Sequence, residues 1–249
     1  MDVLHTLTQE VYSRSNRLGR PVVTLSYAQS LDGSLTMQSD ARLMISGAES
    51  KLLTHQLRAV HQGILIGIGT LLTDNPRLTA RLAGGPHPQP VILDGSLRTP
   101  PDCALMQRED LRPWIFCGKE APAEKEQVLS ERGARVYRVG SGGENGRVNL
   151  GEVLGLLKNH GLFSVMVEGG AEVIASFLRS RLVDQAVITI APFWAGGMQV
   201  RGNFLQEGRL PEIIEPQIMQ LGRDMVIWGS VGEGSHETQD AVFYGARRT

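Results

Sequence analysis

Phe163-Ser-Val-Met-Val-Glu168-Gly169-Gly170-Ala171-Glu-Val-Ile-Ala-Ser176-Phe-Leu178 changes its hydrophobic period halfway along, and that change decides the reading of the chain. Phe163, Val165 and Val167, with Met166 between them, form a strand-length apolar run buried on both faces, whereas Val173, Ile174, Phe177 and Leu178 recur at helical spacing. Gly169 and Gly170 let the backbone turn and leave no Cβ in front of the helix. Its free N–H groups and positive dipole end can then face an anion such as a pyrophosphate. Two glycines can equally make a tight connection that binds nothing. Glu168 favours a site, because a carboxylate at the carboxyl end of a buried strand lies where open α/β sheets place ligands and is costly there without a partner.

Working outward, residues 1–18 set Val3, Leu4, Leu7, Val11 and Leu18 among polar residues as one amphipathic helix ended by Gly19-Arg-Pro21. This predicts an appendage over residues 1–20 on a single domain spanning 21–249. Residues 21–27 read as a strand entering Ala28-Gln-Ser-Leu-Asp32-Gly33-Ser34, where Asp-Gly marks a tight turn. Ser46-Gly-Ala-Glu49 has capping-box spacing ahead of a helix stripe of Leu52, Leu53, Leu57 and Val60 that Gly63 terminates, with His55 and Arg58 beside it. Residues 64–69 are a buried strand and 70–81 a polar loop around Asp74-Asn75-Pro76.

Strands follow at 91–94, closing on Gly95, and at 114–118, then a helix over about 122–132 and a strand at 134–139. The glycine-rich loop 140–146 is no dinucleotide fingerprint, since no apolar helix begins directly behind it. Asn149 caps a helix whose Val153, Leu154, Leu156 and Leu157 face inward and which Gly161 stops. Beyond the central strand and helix, 186–192 is a strand, Gly196-Gly197 opens a long loop, and 219–228 and 240–246 read as two closing antiparallel strands across 229–234.

The pattern predicts an α/β domain with a mixed, mostly parallel sheet of about nine strands and about four or five flanking helices. The loops at 28–34, 70–81, 94–98 and 168–176 then gather along one sheet edge as a cleft. A net charge of −1, from 25 basic and 26 acidic residues, provides no field for nucleic acid or an anionic membrane, so a small molecule is the expected partner. Two cysteines, Cys103 and Cys117, without metal-ligand spacing suggest neither disulfide framework nor structural zinc, and a reducing cytoplasm fits. No apolar run approaches ~20 residues and the amino terminus lacks signal-peptide order, so neither export nor membrane spanning is expected.

Ala28-Gln-Ser-Leu-Asp32-Gly, Ile45-Ser-Gly, Gly69-Thr70-Leu-Leu-Thr-Asp74-Asn-Pro-Arg-Leu78-Thr-Ala-Arg81, Val-Ile-Leu-Asp94, Val-Glu168-Gly-Gly and Ile190-Ala-Pro192, taken in this order, resemble the pyrimidine reductases of riboflavin biosynthesis. The resemblance covers about residues 21–230. It implies a dihydrofolate-reductase-like fold, a homodimer, and NADPH-dependent reduction of the ribosylamino side chain of a pyrimidine 5′-phosphate to ribitylamino. It sets NADPH against Ala28, Met44, Thr70, Asp74 and Gly95, and against the helix start formed by Gly169, Gly170, Ala171, Glu172, Val173, Ile174, Ala175 and Ser176. It sets the substrate against Arg58, Leu78, Arg81 and Glu168, where two arginines can bond the ribose phosphate. Asp32 and Glu168 are the carboxyls expected to orient the reacting groups.

Met44 stands where bacterial reductases often carry tryptophan, and Arg42 where they often carry a small polar residue; loss of the ring bears on stacking in the pocket. The chain lacks the His-x-Glu and Pro-Cys-x-x-Cys signature of zinc deaminases, so it is expected to reduce without deaminating. Rival readings are a same-fold reductase of a pterin or specialised metabolite and a non-catalytic NADPH- or pyrimidine-binding regulator, because fold does not settle substrate.

Overall fold

The computed structural model describes residues 3–36, 45–142, 147–204, 206 and 209–233. In chain order these form α1 (Val3–Thr8), α2 (Val11–Leu18), β1 (Val22–Ser30), β2 (Ser34–Thr36), α3 (Ala48–Val60), β3 (Gly63–Gly67), α4 (Ile68–Asp74), β4 (Gln89–Leu93) and β5 (Trp114–Gly118). There follow α5 (Ala123–Glu131), β6 (Arg135–Val139), α6 (Leu150–Asn159), β7 (Ser164–Val167), α7 (Ala171–Arg179), β8 (Gln185–Ala191), β9 (Met198–Gln199), β10 (Pro211–Leu221) and β11 (Asp224–Glu233). Nine strands make one sheet in the order β10-β11-β8-β1-β7-β3-β4-β5-β6, parallel from β8 to β6, with β11 and β10 antiparallel at one edge. The α/β class and mixed sheet read from the sequence are those observed.

Every residue of β3 and β7 is buried, as parallel strands covered on both faces require. On one face Leu65, Val91, Val165 and Val167 pack with Val153, Leu154 and Leu157 of α6 and with Ile174 and Phe177 of α7. The alternate residues Ile64, Ile66, Ile92 and Ile115 meet Leu71 and Leu129 on the other face. There too Met166, Val187, Val226 and Trp228 meet Leu53, Leu57, Val3 and Leu7. Each such side chain contributes about 1.5–3 kcal/mol through burial.

Four local expectations are corrected. The amino-terminal helix is two helices, because Glu10 adopts φ 52 and breaks it; Val3 and Leu7 are buried but Leu18 is 43% exposed. The capping box at Ser46 is not formed: Gly47 is the N-cap of α3, and its N–H donates instead to Asp224 Oδ2 at 2.7 Å. That helix stops at Val60, not at Gly63, which begins β3; His61 bonds the Leu57 carbonyl at 2.7 Å and Thr24 Oγ1 at 2.8 Å. The closing hairpin is β10 and β11 around Gly222-Arg223, with Gly222 at φ 62. Gly229, read as turn, is a strand residue paired with Ala186, where a Cβ would lie 2.8 Å from Ile213 Cγ2. The strand expected at 240–246 lies outside the described residues.

The sheet edge is stepped. Leu25 of β1 pairs with Val167, the last residue of β7, yet β1 continues beside β8 to the pair Ser30 and Ala191. At about 3.3 Å per residue the β1–β8 pair rises roughly 17 Å past the end of β7 and makes a wall beside the lower ends of β7, β3 and β4.

Candidate active site

Glu168 follows β7 directly, and its N–H donates to the Leu65 carbonyl of β3 at 2.9 Å, which sets the carboxylate over the join of two buried strands. Arg58, in the last turn of α3, meets it edge-on: Nε donates to Oε1 at 2.7 Å and Nη2 to Oε2 at 2.6 Å, while Nη1 donates to the Thr79 carbonyl at 3.1 Å. The two side chains are 13% and 17% exposed. Burial pulls the guanidinium pKa down, but Glu168 outweighs that and leaves it raised. The expectation that Arg58 clamps a phosphate is therefore narrowed: three of its five donors are already engaged by the protein. Arg81 is exposed and donates from Nη1 to Thr79 Oγ1 at 3.1 Å, so Thr79 touches both arginines. Thr79 was not singled out from sequence, because its part is played by a backbone carbonyl that any residue carries.

Leu78 is 2% exposed as a whole residue, its side chain in the core and its backbone at φ 50. A left-handed leucine stores strain at that point. Asp74 ends α4 half-buried, so the predicted loop at 70–81 begins as a helix; Asn75 at φ 41 closes it, its N–H bonding Leu71 O at 2.9 Å.

The glycine turn brings α7 against β3. A Cβ on Gly169 would lie 2.5 Å from Val173 Cβ, and one on Gly67 2.6 Å from Val173 Cγ2, so only glycine permits this approach. Gly170 is the N-cap, without a side chain to cap the first turn, and its own N–H donates to Thr70 Oγ1 at 3.1 Å. Glu172 is exposed and pairs with Arg147. Ile174 and Ala175, 0% and 1% exposed, face the core, and the Ile174 N–H is taken by Gly170 O. These two are corrected as contacts. What α7 offers a ligand is its end from Gly169 to Val173 and the half-buried Ser176, whose hydroxyl donates to Glu172 O at 2.8 Å.

Gly95 lies in a turn closed by Leu97 N–H to Asp94 O at 3.2 Å, and its carbonyl accepts from Gly118 at 3.0 Å. Ala28 is half-buried on β1. Met44 and Arg42 lie outside the described residues.

Asp32 crowns the wall. Its carboxylate accepts from the hydroxyls of Ser30 and Ser34 and from the N–H groups of Ala195 at 3.0 Å and Gly196 at 2.8 Å. Led by the Ser30 hydroxyl and the Ala195 N–H, these donors hold it far below the usual carboxylate range. It clasps the turn after β1 to the loop after β8, and its four partners come from the protein.

An apolar cavity of about 330 Å³ opens elsewhere, between β1, β8, Leu178 of α7, Phe204 and residues 210–213, and none of the predicted site residues lines it. The polar, convergent groups at the end of β7 make the candidate site.

Residues 21–227 match the family model described as the RibD C-terminal domain. The chain is 34% identical over 215 residues to the riboflavin biosynthesis protein RibD of Bacillus amyloliquefaciens, covering 84% of this chain and 57% of that longer protein. It is 34% identical over 216 residues to the 2,5-diamino-6-ribosylamino-4(3H)-pyrimidinone 5′-phosphate reductase of Candida glabrata, covering 80% of this chain and 85% of the relative. The riboflavin biosynthesis reductase Rib7 of Saccharomyces cerevisiae superposes with a TM-score of 0.69 at 30% identity, over 86% of this chain and 91% of that one.

Proposed function

Since the chain belongs to the RibD C-terminal domain family, we propose that it reduces the ribosylamino side chain of a pyrimidine 5′-phosphate to ribitylamino with NADPH. The observation that carries this reading is the junction after β7, where the Arg58–Glu168 pair and the glycine start of α7 adjoin. One short segment thus serves two ligands, and bringing two reactants together is the main task of such an enzyme.

The residues fit the dinucleotide. Glycine at 169 and 170 lets the start of α7 close onto β3 and Thr70, and the uncapped first turn of α7 offers its N–H groups to a pyrophosphate. Thr70 fixes the start of α7 through Gly170, and Ala28 within β1, Asp74 at the end of α4 and Gly95 behind β4 are assigned to the same ligand. When bound, the dinucleotide supplies hydride. The chain's own part is to hold the sugar so that C1′ is presented. Glu168, kept in place by Arg58, accepts from substrate hydroxyl or amino groups, Arg81 faces the phosphate, and the Leu78 backbone completes the edge. Asp32 acts by positioning the wall, since its carboxylate is filled by protein donors.

The relative matched over most of its length is named for the 2,5-diamino substrate, which favours that pyrimidine over its deaminated counterpart. Residues 21–249 are read as one reductase domain with 1–20 packed on it, working in the cytoplasm as a homodimer. The dimer face is the β10–β11 hairpin, whose Ile214, Ile218 and Met225 are 43%, 63% and 42% exposed. The test is NADPH oxidation by purified protein with the 2,5-diaminopyrimidinone and the aminouracil ribosylamino 5′-phosphates offered separately, product identified by mass. Turnover of the first supports the reading, and binding of NADPH with turnover of neither overturns it.

A further inference from the structure

Asp224 opens β11 at the tip of the closing hairpin and is 0% exposed. A carboxylate so enclosed is costly without partners, so its position asks for a reason. Its Oδ2 accepts the Gly47 N–H at 2.7 Å, while its Oδ1 makes no hydrogen bond and lies 3.5 Å from Nε of Arg223, whose side chain is 56% exposed. Arg223 in turn donates from Nη2 to the Ile45 carbonyl at 3.3 Å and lies over the Phe193 ring, 5.8 Å from its centroid. Two consecutive hairpin residues thus hold Ile45 and Gly47, immediately ahead of α3. Gly47, as N-cap, has no side chain to offer that end of the helix, and a carboxylate beside it suits the positive pole. Gly222 completes the fit at φ 62, since a Cβ there would lie 2.5 Å from Oε2 of Glu49 in the first turn of α3.

The heights agree. Met225 pairs with Ile190, so Asp224 is level with Ser30 and Ala191, the last pair of the wall, roughly 17 Å above the end of β7 at about 3.3 Å per residue. From Gly47 to Arg58, α3 also rises about 17 Å at about 1.5 Å per residue. The helix therefore spans the step, its upper end at the hairpin tip and its lower end at Glu168. Between the two, Leu53 and Leu57 pack with Met166 of β7 and with Val187, Val226 and Trp228 of the wall.

We infer that Asp224 is a positioning residue of the site: by accepting the Gly47 N–H it fixes the upper end of α3, and through the helix it sets Arg58 edge-on to Glu168. The inference deepens the proposed function, from which it takes the role of that pair in meeting the substrate. The Asp224 carboxylate is enclosed, so it acts through α3 and not on a ligand. A close-packed helix moves as a body, and release of its upper end lets it tilt or slide on the wall. The lower end registers that movement first, because two bonds from one guanidinium to one carboxylate demand a fixed geometry.

The experiment follows, by NMR on the full chain, the hydrogen exchange of the Arg58 Nε–H, whose protection reports the 2.7 Å bond to Glu168. Arg58→Lys supplies the assignment. Asp224→Ala is expected to quicken that exchange about fivefold, the effect of one lost hydrogen bond, while the Asp94 N–H, bonded to the Phe116 carbonyl, stays within about twofold. Asp224→Asn keeps an oxygen for Gly47 and is expected to hold the Arg58 rate within about twofold of the original. If Asp224→Ala does not fold, Asp224→Ser, whose side chain falls short of Gly47, takes its place with the same expectation. An unchanged Arg58 rate overturns the inference. So does a rise shared by the Asp94 N–H, or loss of folding in both variants, since either assigns Asp224 to the stability of the whole fold. Where a pyrimidine is turned over, kcat/KM is expected to fall about fivefold in Asp224→Ala and to return in Asp224→Asn. Turnover with an Arg58 proton that does not respond overturns this inference alone, whereas a responding Arg58 in a protein that turns over neither pyrimidine supports the link through α3 and overturns the pyrimidine reading.

Discussion

Glu168 neutralises Arg58, and in the proposed function the same carboxylate also meets the substrate. Removing it altogether leaves a guanidinium that is 13% exposed without its counter-ion, so Glu168→Ala is expected to lower the unfolding free energy by about 3 kcal/mol. Glu168→Gln keeps the shape and one of the two acceptors that face Arg58, but removes the charge. It is expected to destabilise less than Glu168→Ala and to cost at least about tenfold in turnover, and an intact turnover in that variant would remove Glu168 from the site. Asp32 predicts the opposite pattern. Held ionised by its donors, it gives the rate profile no limb near the ordinary carboxylate range; a limb there that Asp32→Asn abolished would contradict the clasp role. His55 sets a pH dependence of stability. Its folded-state pKa, about 4, lies below the unfolded value, so the unfolded chain binds more protons between the two and stability falls as pH drops from about 6.5 to about 4, by at most about 3 kcal/mol. Buried His61, also pushed down, adds in the same direction. Denaturant unfolding across that range should show a shallower slope for His55→Leu than for the original chain.

At the level of elements, the glycines around α7 separate geometry from binding. Gly169→Ala must push Val173 away from 2.5 Å, displacing the helix start, and is expected to raise the KM for NADPH about tenfold. Gly170→Ala meets only Thr70 Oγ1 at 3.1 Å and should cost less, and Gly69→Ala, with open space around it inside α4, should stabilise the fold by about 0.5–1 kcal/mol. Equal KM values for all three would remove α7 from the dinucleotide site. These elements also show how far the sequence could be read. The period change at Glu168-Gly-Gly located β7 and α7 correctly, and Asn149 does cap α6 through Glu152 N–H at 3.1 Å. The failures have two causes. Thr70-Leu-Leu-Thr-Asp74 carries too few apolar residues to outweigh its turn-forming tail, and the glycines at 229 and 232, which read as a turn, serve close contact with Ile213 and Ile214 inside a strand. The Arg58–Glu168 pair joins residues 110 positions apart, a register that only the sheet order reveals.

For the whole molecule, the stepped sheet accounts for why one edge gathers the chemistry: the tall β1–β8 pair, tied by Asp32, flanks the low ends of β7, β3 and β4. The far edge carries the exposed β10–β11 hairpin. If that hairpin is the dimer face, Ile218→Asp should shift the mass measured by light scattering toward the monomer, and an unchanged mass would exclude it. The central claim is that the cleft sets a dinucleotide against C1′ of a sugar and not against a pyrimidine or pterin ring. The most direct measurement is to supply NADPH deuterated at the transferable position of its nicotinamide, with the 2,5-diaminopyrimidinone ribosylamino 5′-phosphate, and to locate the label in the product. Deuterium at C1′ of the ribityl chain is predicted; deuterium on the ring, or reduction without label transfer, would contradict the account.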